Sequence, residues 1–265
     1  MANFFNVTGS STVSGSSEKD QFFAFTRLIN LDYVRPDAVL AQLSWDTAIL
    51  TGSGTPYQLI ASNIQISTDL FLGGTNTDVI YGSNLSDAIF YNNGTISGGF
   101  GGFDNIEQFW LGDGDDIIDL TAHGVGGIDY LKDVLVQAGQ GNDIIIGGAG
   151  KDNLQGDAGD DIIFGWRGSD TISGGLGNDI LYGDDLGFNN IAGDDIMDSG
   201  EGNDILYGGR GSDKMTGGDG NDFLYGQAGG DSMSGGGGDD MLFGDDANTS
   251  SNDNLQGDAG NDFLY

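Results

Sequence analysis

The sequence predicts an all-β chain, a right-handed solenoid of parallel strands in two facing sheets, with a capping segment at its N-terminal end. Two observations predict it. From Ala138 to Tyr265 an aspartate recurs every nine residues after a glycine-rich run, and the residues that follow it alternate every eighteen. In GGAGKDNLQGDAGDDIIFG (Gly147–Gly165), Asp152 precedes Asn153, Leu154 and Gln155, whereas Asp161 precedes Ile162, Ile163 and Phe164. The shorter period is one loop and strand; the longer is a coil that returns to the same sheet every second strand.

Composition supports an ordered fold that needs cations. The 265 residues carry a formal charge of −33, with only eight Lys and Arg. Of the 41 acidic residues three are glutamate (Glu18, Glu107, Glu201), and aspartate is the residue that tight loops favour. Like charges at this density oppose a compact state, so the metal-free chain is expected to be disordered and the cation-loaded chain folded. Fifty glycines with two prolines exclude collagen, and the absence of cysteine excludes disulfides and zinc–thiolate sites. Such a charge makes nucleic acid and anionic membrane poor partners, and no apolar run approaches the ~20 residues of a membrane span. The N-terminus MANFFNVTGSSTVSG lacks a basic start followed by an apolar block, so no cleaved secretory signal is read there.

Taken in order, residues 1–72 read as the cap. GSSEKDQFF places Asp20 as a first degenerate unit, the pattern then breaks from Gln21 to Leu72, and Pro36 followed by DAVLAQL predicts a short helix. Residues 73–137 read as degenerate turns: GGTNTDVIY, GSNLSDAIF and GFGGFDNIE place Asp78, Asp87 and Asp104, and LGDGDDIID places Asp116. Leu120 to Gln137 keep the phase without the glycines.

Residues 138–265 form thirteen units of the form G-G-x-G-x-D-x-U-x, with U apolar. Two are interrupted, within Gly183–Asp198 and Gly244–Gln256, and both resume in phase. Glycine in the first, second and fourth places permits left-handed backbone that turns carbonyls toward one point. The aspartate and U face inward while the seventh and ninth residues face outward. Inward U residues are Ile145, Leu154, Ile163, Ile172, Leu181, Met197, Leu206, Met215, Leu224, Met233, Leu242, Leu255 and Leu264, none polar. Carbonyls and carboxylates from stacked turns then converge as oxygen-only sites, which select calcium over transition metals.

This run resembles the RTX, or hemolysin-type, calcium-binding nonapeptide family, and the resemblance covers about half the chain. It implies a parallel β-roll in which several calcium ions are held by the sixth-place aspartate and the carbonyls of the first and third residues. The aspartates so implied are Asp143, Asp152, Asp161, Asp170, Asp179, Asp195, Asp204, Asp213, Asp222, Asp231, Asp240, Asp253 and Asp262, with Asp116 in the earlier unit. The carbonyls implied are those of Gly147 and Ala149, Gly156 and Ala158, Gly165 and Arg167, Gly174 and Leu176, Gly208 and Arg210, Gly217 and Asp219, Gly226 and Ala228, and Gly235 and Gly237. The interrupted units depart from the pattern and leave their carbonyls open. The family also implies export by a one-step bacterial secretion channel, which suits the missing signal and an extracellular or cell-surface location.

The alternation by eighteen predicts two unlike sheets. One carries apolar seventh and ninth residues: Ile144 and Ile146, Ile162 and Phe164, Ile180 and Tyr182, Ile205 and Tyr207, Phe223 and Tyr225, Met241 and Phe243, Phe263 and Tyr265. The other carries Asn, Gln, Thr, Ser and Lys, and all four basic residues after Ala138 lie in its units. A patch of large apolar side chains exceeds what monomers usually expose, so its expected role is to meet another copy, a different subunit or a further part of the chain.

Enzyme signatures are missing. The one histidine, His123, lies in a degenerate turn, and neither HExxH nor G-x-S-x-G occurs. No segment fits an EF-hand, and the varied third place does not suit ice binding. The expectation is a secreted, non-catalytic, calcium-binding structural protein that folds on calcium and assembles through its apolar sheet into a surface layer, filament or complex. The alternative is a calcium-binding module of a longer secreted enzyme, toxin or adhesin, since Tyr265 closes a repeat without a cap.

Overall fold

The computed structural model describes residues 3–7, 11–14, 20–25, 48–51, 57–62, 70–72, 79–81, 88–90, 102–104, 106–121, 130–184, 193–245 and 251–265. Every element among them is a strand, and all the strand pairings described are parallel. The chain divides into two compact units, Met1–Tyr130 and Leu131–Tyr265.

In the first unit, Asn3–Val7, Asp20–Phe25, Tyr57–Ser62, Val79–Tyr81 and Gln108–Asp113 pair in that order. Ser11–Ser14, Ala48–Thr51, Leu70–Leu72 and Gly102–Asp104 form a second row, and Ala88–Phe90 pairs with Ile117–Asp119. Residues 21–72, where the sequence pattern breaks, therefore hold parallel strands as well. Segments such as QFFAF, AILT and YQLIAS are rich in β-branched and aromatic residues and can pair as strands without the glycine loops of the later repeat. The helix expected after Pro36, Asp78, Asp87 and His123 lie outside the described residues.

The second unit realises the two-strand coil. Leu135–Gln140, Asn153–Ala158, Thr171–Leu176, Ile196–Glu201, Lys214–Asp219, Ser232–Gly237 and Asn254–Ala259 form one sheet. Ile144–Ile146, Ile162–Trp166, Ile180–Asp184, Ile205–Arg210, Phe223–Ala228, Met241–Asp245 and Phe263–Leu264 form the other. Consecutive strands always belong to opposite sheets, as a parallel β-roll requires. The register repeats the sequence period, with Leu154 beside Ile172 and Ile163 beside Leu181.

Both interruptions leave the register of the flanking strands intact. Ile172 pairs with Met197 and Met233 with Leu255, so the U column stays in line across each insertion. From Ile145 to Leu242 the U side chains are at most 2% exposed. Burying one such side chain is worth about 1.5–3 kcal/mol, and the column is the core of the unit. Leu255 is only half-buried and Leu264 is exposed, because no further described turn covers them.

Candidate metal centre

Each loop of the second unit sets its sixth-place aspartate in the same way. In most of these loops the chain turns through left-handed backbone at the fourth-place glycine, as at Gly177 and Gly220, although not at Gly150. A side chain there would strike the fourth-place carbonyl one turn back, Gly159 and Gly202 respectively. The aspartate that follows is buried beneath the loop, and its Oδ1 accepts the N–H of the aspartate one turn earlier. Asp143 N–H donates to Asp161 Oδ1 at 2.8 Å, Asp161 N–H to Asp179 Oδ1 at 2.8 Å, and Asp204 N–H to Asp222 Oδ1 at 2.9 Å. On the opposite edge Asp152 N–H donates to Asp170 Oδ1 at 2.8 Å and Asp195 N–H to Asp213 Oδ1 at 2.9 Å.

This clamp fixes the carboxylate plane and leaves Oδ2 pointing at the first-place glycine of its own loop. The Oδ2 atoms of Asp161, Asp170, Asp179, Asp195, Asp204, Asp213, Asp222, Asp231 and Asp240 are buried without a hydrogen-bond partner. A Cβ on Gly156 would run into both Asp161 Oδ2 and the carbonyl oxygen of Gly174 one turn on. The same pair of oxygens crowds Gly147 (Asp152, Gly165), Gly165 (Asp170, Gly183), Gly174 (Asp179, Ser199), Gly183 (Asp195, Gly208), Gly208 (Asp213, Gly226), Gly217 (Asp222, Gly235) and Gly226 (Asp231, Gly244). First-place glycine is thus required by space: without a side chain, a carboxylate oxygen and a carbonyl of the next turn face one another across it. Asp152 differs slightly, since its Oδ2 also accepts the Gly148 N–H at 2.9 Å.

The interrupted units keep this half of the geometry, with Gly183 and Gly244 supplying carbonyls in their usual place. The expected third-place carbonyls are engaged differently. Those of Ala158, Leu176, Ala228 and Gly237 each accept a fourth-place glycine N–H of the preceding turn at 2.7–2.9 Å, and Asp219 accepts that of Gly202 at 2.8 Å. A carbonyl has two lone pairs, so one stays available. Ala149, Arg167 and Arg210 hold the third place in their own turns.

Burial dominates the electrostatics. It pushes the carboxyls of Asp161, Asp170 and Asp213 up to about 8, those of Asp195 and Asp222 to about 7, and those of Asp152 and Asp179 to about 6. Asp204, Asp231 and Asp240 shift in the same direction for the same reason. Hydrogen bonds to the clamped N–H groups oppose the shift, and neighbouring aspartates add to it. A column of buried, like-charged carboxylates with orphaned oxygens is costly unless protons or cations neutralise it.

The donor set fits a hard cation. Among the described residues no three Asp, Glu, His or Cys side chains gather around one point, so main-chain oxygens must supply most ligands, as suits calcium. Asp116 is fully buried in the first unit, while Asp253 and Asp262 lie in the less covered last turn and face Gly244 and Gly257.

Sequence reasoning passed over three features. Fifth-place Asn142, Asp160, Asn178, Asn203, Asn221, Asp239 and Asn261 form a ladder, the side-chain oxygen of each of the first six accepting the next turn's N–H, as in Asn178 N–H to Asp160 Oδ1 at 2.8 Å. Its signal was that this place on one edge is always Asn or Asp. Asp184, second residue of the first interrupted unit, is buried and accepts the Arg210 N–H at 2.7 Å. Ser199 stands in first place where its neighbours have glycine.

The outer face of the apolar sheet is a ring stack. Phe164, Tyr182, Tyr207, Tyr225 and Phe243 stack in succession at 4.5–5.0 Å between centroids and within 9° of parallel. Ring faces are consumed by neighbours, and ring edges meet the surroundings. Ile144, Ile146, Ile162, Ile180, Ile205 and Met241 are half-buried beside them, while Phe223 is exposed.

The profile described as RTX calcium-binding nonapeptide repeat (4 copies) matches residues 137–172, 167–185, 192–215, 216–250 and 248–265. No match is found among curated proteins. Among the described residues no helix is long and apolar enough to cross a membrane.

Proposed function

We propose, from the match of residues 137–185 and 192–265 to the RTX calcium-binding nonapeptide repeat and from the parallel β-roll formed by the described strands, that this is a secreted, non-catalytic structural protein. Calcium couples to its folding, and the folded roll assembles through its apolar outer sheet into a layer, filament or larger complex. The observation that carries the calcium part is the facing pair of oxygens in successive turns, a buried Asp Oδ2 without a partner and a first-place carbonyl.

Asp152, Asp161, Asp170, Asp179, Asp195, Asp213, Asp222 and Asp231 would each hold an ion with the carbonyl facing it, and Asp240 has the same carboxylate setting. Bound calcium supplies the positive charge that such a column lacks. The Oδ1 clamp keeps each carboxylate aimed, so the ligands of one turn are set by the backbone of the turn before. Extracellular modules of this chemistry bind at about 10⁻⁴–10⁻³ M, which keeps the chain unfolded at cytosolic calcium and folds it outside.

Assembly is supported by the apolar ring-edge surface and by the polar sheet opposite, where Asn153, Gln155, Thr171, Lys214 and Ser232 face water. Since the ring faces are already stacked on one another, the surface suits a flat apolar protein partner rather than a ligand that stacks on an open ring face. The test is the oligomeric state in millimolar calcium of wild type and of Phe223→Ser with Tyr225→Ser. Association in the wild type and its loss in the variant are expected; a monomer in both removes the assembly reading.

A further inference from the structure

Ser199 occupies the first place of the unit that carries Asp204 in its sixth, where most turns have glycine. It is fully buried. Its Oγ donates to the carbonyl of Gly217 one turn on, at 2.6 Å. In the glycine-bearing turns at Gly147, Gly156, Gly165, Gly174, Gly183, Gly208, Gly217 and Gly226 that carbonyl place belongs to the oxygen pair, and an added Cβ meets both oxygens at once. Here a real Cβ and hydroxyl stand in that space. Ser199 still lends its own carbonyl to the preceding cradle, facing Gly174 and Asp179.

We infer that the Ser199 side chain is a built-in plug: the cradle of Asp204 takes no calcium, because the serine hydroxyl already bridges the two turns through the Gly217 carbonyl. This rests on the calcium reading above and refines it, since one site in the ladder is closed by sequence while its neighbours stay open. A cation placed between Asp204 Oδ2 and the Gly217 oxygen would have to displace a buried hydrogen bond and share its space with Cβ. Ala138, fully buried, is the other first-place residue from 138 onward that carries a Cβ, but it brings no hydroxyl.

The experiment counts calcium per chain by equilibrium dialysis at saturating calcium, with far-UV circular dichroism confirming the folded state. Ser199→Gly is expected to bind one ion more than wild type. The reciprocal Gly156→Ser, which installs the same plug over Asp161, is expected to bind one ion fewer. Unchanged counts in both folded variants overturn the plug while leaving calcium binding intact. A wild type that binds no calcium brings down the underlying reading instead. Should either variant fail to fold, calcium anomalous scattering from wild-type crystals decides: peaks at the neighbouring cradles and none at Asp204 support the plug, and a peak at Asp204 overturns it.

Discussion

The first-place glycine and the sixth-place aspartate form one device, because a methyl on the glycine would occupy the space that the two oxygens share. Gly165→Ala would press on Asp170 Oδ2 and the Gly183 carbonyl. It is expected to remove one bound calcium and to cost about 1–3 kcal/mol, the range for an overpacked site. Calcium counting and urea unfolding in calcium check it; wild-type values in both would contradict the shared-space account. Leu181→Ala, deep in the U column, should cost about 2–5 kcal/mol without changing the calcium count.

The carboxyls also set a pH dependence. In the folded roll Asp161, Asp170 and Asp213 titrate near 8 and Asp152 near 6, above the ordinary value of 3.8. A raised folded value means the fold prefers the protonated group. That contribution is complete below about 4 and is lost as pH rises through 6 to 8. With a chelator present, sheet content should therefore be greater at pH 5 than at pH 8. Calcium affinity should run the other way, since protons and cations compete for the same oxygens. Metal-free sheet content that grows with pH would contradict this.

At the level of the strand, the alternation of outer faces was readable because side chains point to opposite sides with a period of two. The ring stack was not, because sequence spacing says that Tyr182, Tyr207 and Tyr225 share a column but not that their planes align within 9°. Tyr207→Ser removes two stacked contacts and is expected to lower stability by about 1–3 kcal/mol, at about 0.5–1.5 kcal/mol for each. The urea midpoint in calcium measures it, and an unchanged midpoint would show that the rings only line the sheet. The fifth-place ladder escaped notice for a related reason: the repeat formula treats that place as free, whereas backbone N–H groups stacked one turn apart each need an acceptor.

Across the whole chain, legibility follows the strictness of the repeat. From Ala138 onward most loops repeat the same geometry, so a place in the sequence is a place in space, and even the interruptions return to register. Between Gln21 and Leu72, strands such as Tyr57–Ser62 pair in parallel although the sequence carries no nine-residue period to announce them. Ser199 and Asp184 show the limit within the repeat. Each is a single departure whose consequence depends on what the next turn brings alongside, Gly217 in one case and Arg210 in the other.

On the proposed function, the chain's formal charge of −33 and the buried carboxylate columns are neutralised at pH 8 by cations that enter as it coils. Because each turn contacts mainly its neighbours, the transition should spread along the array once a few turns are loaded. Far-UV circular dichroism during a calcium titration from excess chelator tests this most directly. The account predicts little sheet signal at pH 8 without calcium and a steep gain in the millimolar range; a full sheet spectrum that ignores the chelator would contradict it.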